Sequence, residues 1–343
     1  MKYKVVTELT KEDALVWVKF VEDHPLGNFF QMPRMLEFYK GLKKINPFMV
    51  GVYDEKNKPV GFVTGTWQKS GNKVTGFFSS RIIIIGGPLI DESLSGKEEI
   101  VGLMLENIRQ RFGKKAIYTE FRNLFDTSQY KEIFESQGFN YKEHLNYIVD
   151  TRDEKVLRTK ISKSKIRQVN KSLKNNAQII EPENLDQVKS FYEILQKLYH
   201  EKVKKPIPGW DFFNRFFEWS QFGDFGKILL IKSEDKIVGG IMCPIFRSRT
   251  IYELYIAGLD GESKDIYPSV VATWAPIDYA IKNNIESFDF LGAGSPESDY
   301  GVREFKSKFG GELVQNGRYI RINNNFLFAV GKLGIRFAGN LIR

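Results

Sequence analysis

The chain predicts an α/β protein assembled from two copies of one module. The order helices, antiparallel hairpin, strand, helix, strand runs through the first half and recurs in the second. A length of 343 residues suits two domains of ordinary size. A hydrophobic content of 42%, with 14% aromatic residues, marks filled cores rather than disorder. The halves share no evident sequence identity, so the repeat is one of structure.

In the first half, residues 12–21 carry apolar side chains at helical spacing behind Thr10, a suitable N-cap. Pro33 opens a second helix over 33–42. Residues 48–53 and 59–67 read as antiparallel strands around the polar turn 54–58, and 82–85 continues the sheet. An amphipathic helix over 97–112, a strand over 116–121 and a short helix over 130–137, stopped by Gly138, complete the module. In the second half, 185–202 is helical, and 228–232 and 236–244 form a hairpin around Ser233-Glu234-Asp235. A strand over 250–257, a helix over 269–283 and a strand over 287–291 follow. The polar stretch Thr151-Arg152-Asp153-Glu154-Lys155 is the best boundary, separating a first domain over 1–150 from a second over 151–317.

A net charge of +9 and a pI near 9.2 favour anionic partners: nucleic acid, nucleotide-linked sugars, coenzyme A or anionic lipid. No carboxylate lies between Glu154 and Glu181, whereas Lys155, Arg158, Lys160, Lys163, Lys165, Arg167, Lys171 and Lys174 do. On a helix from Ser164, Arg167, Lys171 and Lys174 share a face that can hold phosphates. A solvated helix surface is the plain alternative, and the lack of aromatic residues there speaks against base stacking.

The single cysteine, Cys243, excludes an intramolecular disulfide and, in an apolar run, reads as a buried structural thiol. Residues 1–8 hold no signal-peptide core and no apolar run is long enough to span a membrane, so the expected compartment is the cytoplasm. His24, His144 and His200 are scattered without ligand spacing, which excludes a recognisable zinc site. There is no Walker loop, dinucleotide fingerprint or nucleophile elbow. Direct transfer remains, in which the protein positions two substrates without a metal or a tightly bound cofactor.

The most informative stretch is Asp289-Phe290-Leu291-Gly292-Ala293-Gly294, followed by Phe305-Lys306-Ser307-Lys308-Phe309-Gly310-Gly311. It reads as a strand, a glycine-rich loop that lets a ligand approach the backbone, and a turn carrying an aromatic–lysine pair. Lys306 then offers a mobile positive charge beside the Phe305 ring, suited to a phosphate or an oxyanion; a solvated loop lysine is the plain alternative. Arg303 and Lys308 are further cations of this loop. Asp289 alternates with Phe288 and Phe290 and faces away from them, placed either to receive an amine or to cap the following turn. Tyr252 and Tyr255 read as core or cleft-lining residues.

This spacing resembles the C-terminal motif of the Fem family, which joins amino acids to cell-wall precursors, and of related acyltransferases of polysaccharide operons. Gly27-Asn28-Phe29-Phe30-Gln31-Met32-Pro33-Arg34-Met35, Gly86-Gly87-Pro88-Leu89-Ile90-Asp91 and the basic segment 162–176 match in family order. The resemblance implies two tandem GNAT-like (acyl-CoA N-acyltransferase-like) domains with mixed central sheets, the first completed by 318–343. It implies a catalytic Lys306 beside Phe305; Arg167, Lys171, Tyr255, Asp289 and Arg303 are the candidate substrate contacts read from the residues themselves. Gln31 is a helix cap or a substrate contact, and Arg81 is a candidate for the first cleft.

The implied activity is transfer of an activated acyl or aminoacyl group to an amine of a peptidoglycan or other cell-envelope precursor. The donor is aminoacyl-tRNA or acyl-coenzyme A, and the acceptor an anionic nucleotide- or lipid-linked sugar. An acyl-coenzyme A-dependent N-acyltransferase acting on an amino sugar is the second reading, and a nucleic-acid-binding protein the third. The usual coenzyme-binding signature of single-domain acetyltransferases is missing, and Asp260 stands where that loop would want backbone donors. The apolar closing segment 326–337 is expected to pack on the first domain or to touch a membrane at its inner face. On this reading Lys306→Ala cuts turnover and leaves the melting temperature nearly unchanged.

Overall fold

The computed structural model describes residues 2–69, 79–204, 206–262, 264–297 and 301–330. The chain divides into two compact units, one formed by residues 1–143 and 316–343 and one by 144–315.

The first unit contains β1 (Tyr3–Val6), α1 (Lys11–Asp23), α2 (Arg34–Lys40), β2 (Ile45–Asp54), β3 (Pro59–Gln68), β4 (Arg81–Ile85), β5 (Leu89–Ile90), α3 (Lys97–Phe112), β6 (Tyr118–Arg122), α4 (Lys131–Ser136), β7 (Asn140–Lys142) and the late strand β16 (Arg318–Ile322). Thr10 caps α1 as its sequence suggests, accepting from the Asp13 amide at 3.1 Å. The sheet order is β1-β2-β3-β4-β6-β16-β7, with β5 on β3. Its parallel pair is β4 and β6, joined through α3. Ile100, Val101, Met104, Leu105 and Ile108 of α3 recur at helical spacing and bury against Val50, Val52, Val63, Ile82 and Ile84.

The return of β16 is held by an aromatic cluster. Phe134, fully buried, stacks on Tyr319 at 4.1 Å and meets Phe121 and Phe139 edge-on at 5.0 and 5.4 Å. Phe134→Ala is expected to destabilise the first unit by about 3–5 kcal/mol. Urea unfolding checks this, and an unchanged midpoint would show that the cluster does not anchor β16. Beyond it, the Phe328 ring lies 5.7 Å from Tyr118. Lys332 and Arg336 of the closing segment lie outside the described residues.

The second unit contains β8 (Leu145–Asp150), α5 (Glu154–Lys160), α6 (Lys163–Lys174), β9 (Ala177–Ile180), α7 (Leu185–Leu198), α8 (Trp210–Ser220), β10 (Gly226–Ser233), β11 (Lys236–Phe246), β12 (Thr250–Tyr252), β13 (Tyr255–Gly258), α9 (Pro268–Lys282), β14 (Ser287–Asp289), α10 (Gly301–Ser307) and β15 (Glu312–Gln315). The order is β15-β8-β14-β12-β11-β10-β9, with β13 on β11. Here β12 and β14 are the parallel pair and α9 the crossover. Both sheets are therefore mixed, as the sequence predicts, and each repeats the same plan.

Four details depart from the expectations. The division falls before β8 rather than at 150/151, because β8 pairs with β14 and β15 of the second sheet. The strand expected over 250–257 is broken at Glu253-Leu254 into β12 and β13. Lys306 sits on a helix, α10, not on a turn. The aromatic-rich segment of α8, whose Phe212, Phe213 and Phe216 bury one face, is an additional helix.

Candidate active site

The break between β12 and β13 creates the site. β12 and β14 run parallel in register from Thr250/Ser287 to Tyr252/Asp289, and the Glu253 amide donates to the Asp289 carbonyl at 2.8 Å. The strands then part. β13 stays on β11, while the chain beyond Asp289 follows β8 through Phe290 N–Tyr147 O at 3.1 Å and Ala293 N–Leu145 O at 2.6 Å. Open α/β sheets bind ligands where strands diverge at their carboxyl ends.

Lys306 spans this parting. Its ammonium group donates to Glu253 Oε1 at 2.7 Å on one arm, and to Gly292 O at 2.8 Å and Phe290 O at 3.0 Å on the other. Its side chain is 9% exposed and that of Glu253 7%. A lysine has three donors, and these three acceptors use them all. The mobile charge expected of Lys306, and the solvated loop lysine that was its alternative, are both replaced by a buried strut that ties the two arms together.

The loop it holds is strained. Leu291 adopts φ +52°, a left-handed conformation that costs an L-residue about 1–2 kcal/mol. Gly292 follows at φ +136°, where a Cβ would lie 3.0 Å from His144 Nε2, so glycine is required. Asp289 Oδ1 accepts from the Leu291 amide at 2.6 Å and from Asn146 Nδ2 at 2.7 Å. Asn146 Oδ1 in turn accepts from the Gly292 amide at 2.7 Å. Asp289 thus caps the turn, one of the two roles open to it from its sequence, and is also the centre of a buried polar network.

Two carboxyl groups, Asp289 and Glu253, and one amine, Lys306, are buried here. Burial pushes the Asp289 carboxyl up to about 6, against its hydrogen bonds from Asn146 and Leu291 and the nearby Lys306 charge. Asp289 faces away from Phe288 and Phe290, which belong to the core under α9. Tyr255 pairs with Met242, which alternates with the core residues Ile241 and Cys243, so it too faces the side opposite that core. There the Tyr255 ring meets Tyr199, Phe212 and Phe213 at 6.3, 6.0 and 5.4 Å. An open hollow of about 580 Å³ adjoins Tyr199, lined also by Gln196, Lys197, His200, Glu201 and Ile207.

The remaining predicted residues stand apart from the Asp289 network. Arg303 donates to Ser295 O at 2.8 Å and Pro296 O at 3.4 Å, closing the loop before α10. Phe305 carries Lys165 Nζ 4.3 Å from its ring centre, and its ring lies 5.2 Å from that of Phe309 at a tilt of 54°. Burial, with Lys308 nearby, lowers the Lys165 pKa. Arg167 is exposed on α6, and Lys171, half exposed on the same helix, pairs with Asp265 at 2.8 Å. In the first unit Gln31 bonds the Thr64 and Ile85 backbone and is structural. Arg81 donates to Gln68 at 3.3 Å, and Glu120 of β6 is clamped by Arg122 and Arg318. Glu253 and Asn146 were not singled out from sequence; the signal available was a polar residue inside an apolar strand run.

These features define a tandem GNAT-fold protein, with the parted strands in the second unit. Residues 162–307 match the family model described as "Acetyltransferase (GNAT) domain". Over the whole chain the fold is that of FemX, with 15% identity and a TM-score of 0.69 over 96% of this chain and 99% of that one. A tandem GNAT protein from the clavulanic acid biosynthesis pathway aligns at 9% identity and TM-score 0.61 over 94% and 99% of the two chains. L-PGS from Bacillus licheniformis aligns at 16% identity and TM-score 0.56 over 94% and 96%. At these identities the likeness is one of fold. No curated protein matches the chain significantly by sequence.

Proposed function

We propose that the protein is an N-acyl- or aminoacyltransferase of the Fem type, moving an activated acyl group onto an amine of a cell-envelope precursor. The observation that carries this reading is Asp289, buried at the parting of β12 and β14 beside the Lys306–Glu253 strut. An acidic side chain at the parted strands suits an ammonium substrate, and a carboxyl near 6 is ionised at neutral pH yet basic enough to take its proton. The fold shared with FemX and with L-PGS supports a cell-envelope acceptor. The working compartment on this reading is the cytoplasm, at the inner face of the membrane.

In the proposed step Asp289 takes one proton from the acceptor ammonium. The freed lone pair forms the new C–N bond at the donor carbonyl, whose π electrons move to oxygen. Collapse breaks the C–O bond of an ester or the C–S bond of a thioester. Of the two protons the nitrogen loses, one leaves with the alcohol or thiol and the other passes through Asp289 to solvent. Lys306 and Asn146 are positioning residues: all the hydrogens of Lys306 are engaged, and its contribution is to fix the 290–292 loop.

The second reading, acyl-coenzyme A-dependent acylation of an amino sugar, is favoured by the clavulanic acid pathway protein, whose structure is described as without AcCoA. One assay separates them. The protein is incubated with cell-wall and sugar-nucleotide precursors plus either charged total tRNA or acetyl-coenzyme A, and products are weighed by mass spectrometry. A ribonuclease-sensitive amino-acid increment is the expected result. An acetyl increment would move the protein to the second reading, and no increment on any amine would overturn both.

A further inference from the structure

One end of the first sheet gathers cations. The parallel strands β4 and β6 begin here, so it lies away from their carboxyl ends, where open α/β sheets bind small ligands. The register brings four segments together. The Lys69 amide donates to Lys44 O at 3.0 Å, and Gln68 pairs with Arg81. Arg81 in turn pairs with Tyr118, and Tyr118 with Ile322. Ser80 Oγ donates to Lys115 O at 2.6 Å, and the Asn324 amide to Ile117 O at 3.1 Å. None of these segments holds an acid: no Asp or Glu occurs at 38–53, 56–90, 107–119 or 313–343.

Lys43, Lys44, Lys69, Lys114 and Lys115 are exposed at this end. Of the neighbouring acids, Glu37 is paired with Lys40 at 2.6 Å, and Glu8 lies near Arg111. Lys69 and Lys115 place their ammonium groups 4.3 and 5.9 Å from the ring centre of Trp67, whose Nε1 donates to Ser80 Oγ at 2.8 Å. Apolar surface adjoins this charge: Phe326 is 74% exposed and Ile322 36%. The sequence that follows, 327–343, is mostly apolar and carries Lys332, Arg336 and Arg343 without an acid.

Cations set beside exposed aromatic and aliphatic side chains fit a partner that offers negative charge above hydrocarbon. A nucleic-acid duplex would use the lysines through its phosphates, but it offers no apolar layer to Phe326. We propose that this end of the first unit is a docking surface for an anionic lipid bilayer. The lysines meet the headgroups, and Phe326 reaches the boundary with the acyl chains. Docking needs no turnover, so this goes beyond the transferase reading and each can fail alone.

The test is co-sedimentation of the full chain with vesicles of phosphatidylcholine alone and of phosphatidylcholine mixed with phosphatidylglycerol. The native protein is expected to bind the mixed vesicles, more weakly as salt rises, and to bind the neutral ones far less. The triple variant Lys44→Gln, Lys69→Gln, Lys114→Gln should bind the mixed vesicles on the order of a hundredfold more weakly. The matching Lys→Arg triple keeps the charge and should bind like the native chain, which separates lost charge from lost fold. Phe326→Ser, at an exposed position, should weaken binding about tenfold. No binding to the mixed vesicles, or equal binding by the native chain and the Lys→Gln triple, would overturn the assignment. So would tighter binding of a duplex RNA through the same lysines with no effect of Phe326→Ser, which would give the surface to nucleic acid.

Discussion

Lys306→Ala is expected to lower the stability of the second unit by about 3–5 kcal/mol, because Glu253 would remain buried without its counter-charge. The carbonyls of Phe290 and Gly292 would lose their donor as well, and the strained Leu291 conformation would lose part of what holds it. This reverses the expectation drawn from sequence, in which Lys306 was a mobile charge whose loss spared the melting temperature. Denaturant unfolding provides the first readout. Lys306→Met combined with Glu253→Leu provides the second: removing both charges together should recover much of the loss, since a buried ion pair is seldom more stabilising than apolar groups of like volume. An unchanged unfolding midpoint in Lys306→Ala would show that the strut does not hold the arms. Transfer activity should fall in the single variant through displacement of the 290–292 loop.

What the sequence made legible was local. Thr10 announced α1, Pro33 marked the start of α2, and Gly292 and Gly294 announced a loop that needs φ values of +136° and +82°. The alternation of Asp289 with two phenylalanines gave its facing. The long-range partnerships were out of reach. Asn146 meets Asp289 across 143 residues, and nothing in Leu145-Asn146-Tyr147-Ile148-Val149 says which carboxylate its amide will find. Glu253 read as one polar residue in a strand, although it both interrupts that strand and neutralises Lys306. The helix α10 was hidden because a seven-residue element after a glycine-rich loop shows too little periodicity to be recognised. The basic run fixed the sign of α6 but not its pairing: Lys171 finds Asp265 from a loop that sequence spacing places far away.

Asp289→Asn should be the most damaging substitution for transfer, with kcat/KM reduced by about 10²–10⁴-fold, the usual contribution of a positioned general base. The replacement keeps an oxygen to accept from Asn146 and Leu291, so the fold should survive and the loss should be chemical. The native enzyme's kcat/KM should rise with pH through about 6, as the free carboxyl loses its proton. Stability should move the opposite way. The folded-state value is raised above the unfolded one, 3.8, so folded protein holds a proton that unfolded chain has released between those values. The stabilisation is complete below pH 3.8 and is lost as pH rises through about 6, an effect on the order of 3 kcal/mol for a shift of about two units. Asp289→Asn should flatten both the activity profile and this stability slope. A structural role alone would flatten the slope while leaving the activity profile in place, and that pairing of results would remove Asp289 from the chemistry. The opposed signs reflect one cause: the burial that makes Asp289 a usable base near neutral pH is the same burial that penalises its charge.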